Sequence, residues 1–145
     1  MLLFACVSAN SQVSKNLRMV WNDEFNGNTL DASKWKVPPA WNRQGGSYWS
    51  ADNHEMTGNG QVRLSVTEKN GKVYCGALRT HNLFDKKYGY FEVRCKVPQM
   101  KGGWAAFWMM PYGNKPGNSG NDGTEIDIFE SINGWKGHIN HALHW

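Results

Sequence analysis

The chain of 145 residues is long enough for one domain of ordinary size with a buried core. It is 40% hydrophobic and 19% charged with 16 glycines and 8 tryptophans, a globular composition in which so many tryptophans call for a purpose beyond packing. Its 16 Lys and Arg give a net charge of +4 but never stand more than two together, which excludes a nucleic-acid-binding patch.

The opening, MLLFACVSANSQ, is apolar from Met1 to Val7 and then small and polar. It is too short to span a bilayer and reads as the tail of a secretory signal, cut after Ala9 or lipidated at Cys6, although the basic n-region is missing. Residues 1–12 are therefore expected to be a signal-peptide remnant or a disordered N-terminus. The protein is expected to be secreted, periplasmic or lipid-anchored at the cell surface.

Strand patterns follow, with almost no helix signal. Gln61 to Val66, QVRLSV, alternates Val62, Leu64 and Val66 with polar residues after the turn TGNG. Tyr90 to Pro98, YFEVRCKVP, is the cleanest alternation, with Phe91, Val93, Cys95 and Val97 on one face and charged residues on the other. Cys75 and Cys95 lie symmetrically about Asp85, so a hairpin could set them opposite each other; a disulfide and two free, buried thiols both remain open. Gly103 to Pro111, GWAAFWMMP, is apolar throughout, as expected of a strand covered on both sides, and leads into the loop YGNKPGNSGNDG. The last run, GHINHALHW, alternates again and stops in mid-strand. Many short strands at this spacing predict an all-β sandwich or jelly roll, incomplete at its C-terminus.

Between the last two strands lies GTEIDIFESING, with three carboxylates in six residues. Glu125 and Asp127 share a strand face by alternation, with Ile126 and Ile128 on the other, but Glu130 falls out of step. One extra residue between Asp127 and Glu130, a β-bulge, would return the third acid to the same face. Four effective steps of roughly 3.3 Å would then leave the two Glu backbones about 13 Å apart. Long side chains leaning over a short Asp could close much of that gap, towards the roughly 5 to 5.5 Å that a double-displacement glycosidase needs. Alone, such a strand is also what a solvated acidic face or a calcium site would look like.

EIDIFE resembles the bulged Glu-x-Asp-x-x-Glu signature of glycoside hydrolase family 16, as in laminarinases, agarases, porphyranases and kappa-carrageenases. WNDEFNGNTLDASKW, ALRT, KYGYFEVRCKVP, GGWAAFWMMP and HINHALHW agree with the same family in order and spacing. The resemblance implies a concanavalin A-like β-jelly-roll sandwich of two curved antiparallel sheets, of which residues 13–145 would be a partial catalytic domain. It implies Glu125 as nucleophile, Asp127 as its assisting acid, Glu130 as general acid/base, and His144 in the cleft. Trp108 would line the donor-side sugar subsites, where a flat ring meets the C–H face of a pyranose at little entropic cost. Trp104, on the same strand face, is a second aromatic candidate. Arg79 would reach substrate or brace the acids, Asn42 in the loop WNRQGGSYWS would donate to a sugar, with Arg43 and Trp49 beside it as further candidates, and Trp135 would flank the leaving group.

No cofactor is required by this chemistry, though relatives hold a structural calcium to which Glu24 could contribute. The substrate expected is a β-linked polysaccharide, β-1,3-glucan or mixed-linkage β-glucan before a β-galactan of the agar, porphyran or carrageenan type. A non-catalytic carbohydrate-binding sandwich is the alternative from another class, and the three acids argue against it. No nucleic acid and no membrane span are expected, and the sequence implies no oligomeric state.

Overall fold

The computed structural model describes residues 16–40, 42–98, 100–113, 119, 121–132 and 138–145. The expectations for residues 1–12 and for Trp135 lie outside the described residues. Among those described the chain is all-β, with two three-residue 3-10 turns and eight strands. The strands are β1 (Ser47–Trp49), β2 (His54–Met56), β3 (Val62–Leu64), β4 (Val66–Lys69), β5 (Lys72–Cys75), β6 (Trp104–Met109), β7 (Glu125–Ile132) and β8 (Asn140–His144). They fall in two compact units, Met1–Tyr90 and Phe91–Trp145.

In the first unit β2 and β3 form an antiparallel pair, and a second sheet runs in the order β1-β5-β4, with β1 parallel and β4 antiparallel to β5. The β4–β5 hairpin turns on Asn70 and Gly71, both at positive φ (53° and 71°), the geometry that matches the right-handed twist of the flanking strands. The single strand expected over 61–66 is broken at Ser65. Asn53, only 2% exposed, accepts the Ser65 N–H at its carbonyl (2.9 Å), while its Nδ2 donates to the Ser65 carbonyl (3.2 Å) and to Thr67 Oγ1 (3.0 Å). A side chain that satisfies the backbone better than the next ladder step lets the chain change sheets there. The same approach demands glycine at 76, where a Cβ would lie 2.1 Å from the Asn53 carbonyl oxygen.

Much of the tryptophan in this unit is structural. Trp21 meets Trp35 edge-on at 5.1 Å and stacks on Phe84 at 5.7 Å, and Trp35 Nε1 donates to Asp23 Oδ2 at 2.8 Å. Trp49 is buried and carries the Arg43 guanidinium over its ring at 4.2 Å, so these two candidates from the 41–50 segment engage each other.

The hairpin that could set Cys75 opposite Cys95 does not form. Cys75 is paired on both sides of β5, with Trp49 of β1 and Val66 of β4, which leaves no edge for another strand. Both cysteines are free thiols, but neither is buried: Cys75 is half-buried and Cys95 exposed. Residues 90–98, for all their alternation, form no strand. Alternation records which face is apolar; a strand also needs a partner for its N–H and C=O groups.

The second unit is built on one antiparallel sheet, in the order β6-β7-β8. Its central strand, β7, is the acidic segment. β6 is less covered than its apolar composition suggests, since Trp104 remains 52% exposed.

Candidate active site

The middle strand of a sheet has both edges paired, so its register fixes where each side chain points. On β6, Phe107 pairs with Phe129 and the next residue, Trp108, pairs with Asp127, so one residue of β7 is skipped. On β8, Ala142 pairs with Asp127 and Asn140 with Glu130, so two steps there match three on β7. The irregularity seen from both sides is the β-bulge that the spacing of the acids required.

Residues directly opposite in an antiparallel ladder share a face. Glu125 faces His144, Asp127 lies between Trp108 and Ala142, and Glu130 lies between Ala106 and Asn140. Since 104, 106 and 108 alternate on β6 and 140, 142 and 144 on β8, all three acids lie on one face together with Trp104, Trp108 and His144. Ile126, opposite Met109 and Leu143, lies on the other.

Each acid has its own surroundings. Asp127 is 4% exposed, and His144 Nε2 stands 3.0 Å from its Oδ2. The contact is close without hydrogen-bond alignment, so Oδ2 has no hydrogen-bond partner among the described residues. Glu130 is half-buried, and its Oε1 accepts the indole N–H of Trp104 at 2.7 Å. Glu125 is half-buried at the start of the strand. The sheet thus carries an enclosed carboxylate beside an imidazole, flanked by two more accessible carboxylates, one with a donor fixed on it. An ionised group to attack and a protonated group to donate can coexist on such a surface.

Six of the sequence candidates therefore share one sheet face. Asn42 and Arg79 belong to the first unit. Asn42 is exposed and bridges Tyr48 through the backbone, and Arg79 exchanges backbone hydrogen bonds with Lys36 at 2.8 and 2.9 Å. Two residues of β8 escaped the sequence reading. Asn140 faces Glu130, and the alternation leading back from His144 was signal enough to find it. His141 places Nδ1 2.6 Å from the Ile128 carbonyl oxygen, a relation no sequence pattern announces.

Among the described residues no three His, Cys, Asp or Glu side chains come together as a metal-binding group, Glu24 included. No helix among them is long and apolar enough to cross a membrane.

The family model for glycosyl hydrolases family 16 matches residues 42–145. The chain is 26% identical to glucan endo-1,3-beta-glucosidase A1 of Niallia circulans, an alignment covering 89% of this chain and 22% of that protein. It is 29% identical to the keratan-sulfate endo-1,4-beta-galactosidase of Sphingobacterium multivorum, over 95% of this chain and 34% of that protein. The crystal structure of a laminarinase from Flavobacterium sp. UMI-01 superposes with a TM-score of 0.76 at 28% identity, covering 88% of this chain and 57% of the other. The chain thus spans about a fifth to a third of the two curated relatives.

Proposed function

The chain belongs to glycosyl hydrolase family 16 and has its β-jelly-roll class of fold, and from that premise we propose that the protein is a retaining endo-glycosidase acting on a β-linked polysaccharide. The observation that carries this reading is the common face of Glu125, Asp127 and Glu130, produced by the bulge in β7. β-1,3-Glucan, or mixed-linkage β-glucan, is the substrate class we favour, since the A1 relative is named a glucan endo-1,3-beta-glucosidase and the structural neighbour a laminarinase. A β-galactan is the second reading, supported by the likeness to an endo-1,4-beta-galactosidase.

In this mechanism the Glu125 carboxylate attacks the anomeric carbon while Glu130, protonated, gives its proton to the departing glycosidic oxygen. The covalent glycosyl-enzyme is then opened by a water whose proton returns to Glu130, and two inversions leave the configuration retained. Asp127, paired with His144, modulates the nucleophile beside it and shares the charge carried by three acids on one face. Trp108, directly opposite Asp127, offers its ring to the sugar bound over the acids. Residues 13–145 are in this reading part of a catalytic domain, on a protein exported to the cell surface or beyond.

The test is a reducing-sugar assay of the full-length protein over β-glucans and β-galactans, with Glu125→Ala and Glu130→Ala alongside. Azide should rescue both variants with opposite outcomes, an α-glycosyl azide from Glu125→Ala and a β-glycosyl azide from Glu130→Ala. Turnover by either variant without azide close to that of the wild type would sink the assignment.

A further inference from the structure

A bulge sets two residues of one strand against one of its neighbour. Between the pairs Asp127–Ala142 and Glu130–Asn140, the two residues on β7 are Ile128 and Phe129, and the single residue facing them on β8 is His141. Phe129 keeps a ladder partner in Phe107, whereas Ile128 pairs with neither neighbouring strand. Its carbonyl oxygen is met instead by a side chain of β8. The contact is exposed, so the hydrogen bond contributes a modest net bias toward this register over a slipped pairing. In a slipped pairing the side chains after the slip change faces.

His141 Nδ1 lies 2.6 Å from that carbonyl oxygen. A carbonyl only accepts, so Nδ1 must carry the proton and donate it. The imidazole is on the side of the sheet away from the acids, since 141 is out of phase with 140, 142 and 144. It therefore acts on the catalytic face only through the backbone.

We propose that His141 is a positioning residue: its Nδ1–H, donated to the Ile128 carbonyl, holds the bulge in register and so keeps Glu130 on the face of Glu125 and Asp127. The catalytic half of this rests on the function proposed above; the hydrogen bond itself does not. With the bond lost, the bulge drifts along β7 and the acid/base carboxyl is displaced while the nucleophile, on the other side of the bulge, stays in place. Damage should then fall on protonation of the leaving group more than on attack.

The first measurement is a long-range proton–nitrogen NMR spectrum of the full-length protein with labelled histidine. It is recorded near pH 8, above the ordinary imidazole range of about 6.5, and assigned with His141→Gln. The expected tautomer has the proton on Nδ1; a proton on Nε2 with Nδ1 bare overturns the proposal whatever the activity. The second compares His141→Leu with His141→Asn, whose amide nitrogen can reach the same carbonyl. The Leu variant should lose about tenfold in kcat on polysaccharide with little change in KM, and markedly less on an aryl glycoside with a good leaving group, while Asn recovers most of the loss. Equal losses on both substrates, or no loss in the Leu variant, overturn the positioning role. An inactive wild type with a proton on Nδ1 refutes the glycosidase function and the catalytic half together, and leaves the bulge bond standing.

Discussion

Trp104 donates its indole N–H to Glu130 Oε1 at 2.7 Å, although half of the residue is open to solvent. An aromatic ring on the face of the three acids suggests stacking on a sugar, but here the polar edge of the ring is committed to a carboxylate. An ordinary hydrogen bond is worth about 0.5–1.5 kcal/mol net, enough to bias a flexible Glu side chain toward one orientation. Trp104→Phe keeps the ring and removes the donor. It should lower kcat on polysaccharide by roughly two- to tenfold with KM changed far less, because what is lost is orientation of the proposed acid/base. A rise in KM with kcat intact would instead identify Trp104 as a stacking platform.

The Asp127–His144 contact makes a different prediction. Asp127 is buried, so removing its imidazole neighbour leaves a carboxylate enclosed with less to stabilise it. His144→Ala should reduce kcat by about tenfold or more and lower the melting temperature, whereas Asp127→Asn should cost activity with a smaller change in stability. A double variant whose loss equals the sum of the single losses would show that the two residues act independently.

Deleting residues inside β7 tests the parity of the acids directly. Without Ile128 the segment reads EIDFE, in which plain alternation keeps all three carboxylates on one face with no bulge. That variant should keep its acids together and remain within about a hundredfold of wild-type kcat, since strand curvature and not facing is what changes. Removing Ile128 and Phe129 together turns the last acid to the far face and should abolish turnover. Equal activity in the two deletion variants would disconnect catalysis from strand parity.

Thiol chemistry gives a prediction independent of any substrate. Cys75 and Cys95 are both free, so both should label with a maleimide after denaturation without reductant. Desolvation pushes the Cys95 thiol above its ordinary range, which leaves less thiolate at neutral pH. Its alkylation by iodoacetamide in the folded protein should therefore be slower near pH 7 than that of an unstructured cysteine peptide, and should catch up as the pH rises. Faster labelling than the peptide would contradict the desolvated environment, and a Cys75–Cys95 bridge in the mass spectrum would contradict the fold.

How far each feature could be read ahead depended on the kind of information it needed. The bulge in β7 was legible because parity is a local count: three acids at 125, 127 and 130 can share a face only if one residue is extra. His144 was legible for the same reason, since its alternation with Leu143 and Trp145 assigns its face. The strand expected at 90–98 shows where such counting stops. Its alternation is cleaner than that of β7, yet the segment forms no strand, and strand pairing is not written in the alternation. The choice left open between a disulfide and two free thiols at Cys75 and Cys95 was also beyond local counting, because it turned on both edges of β5 being taken by β1 and β4.

By itself the sequence determined an all-β chain, the family signature and the common face of the three acids, because residue type and two-residue periodicity act over a few neighbouring positions. Only the tertiary structure decided what each acid touches: the indole on Glu130, the imidazole beside Asp127 and the His141 ring on the bulge carbonyl. Those contacts join positions 13 to 26 residues apart on adjacent strands. Their geometry follows from ladder register, which is set when the strands pair and by no stretch of chain alone.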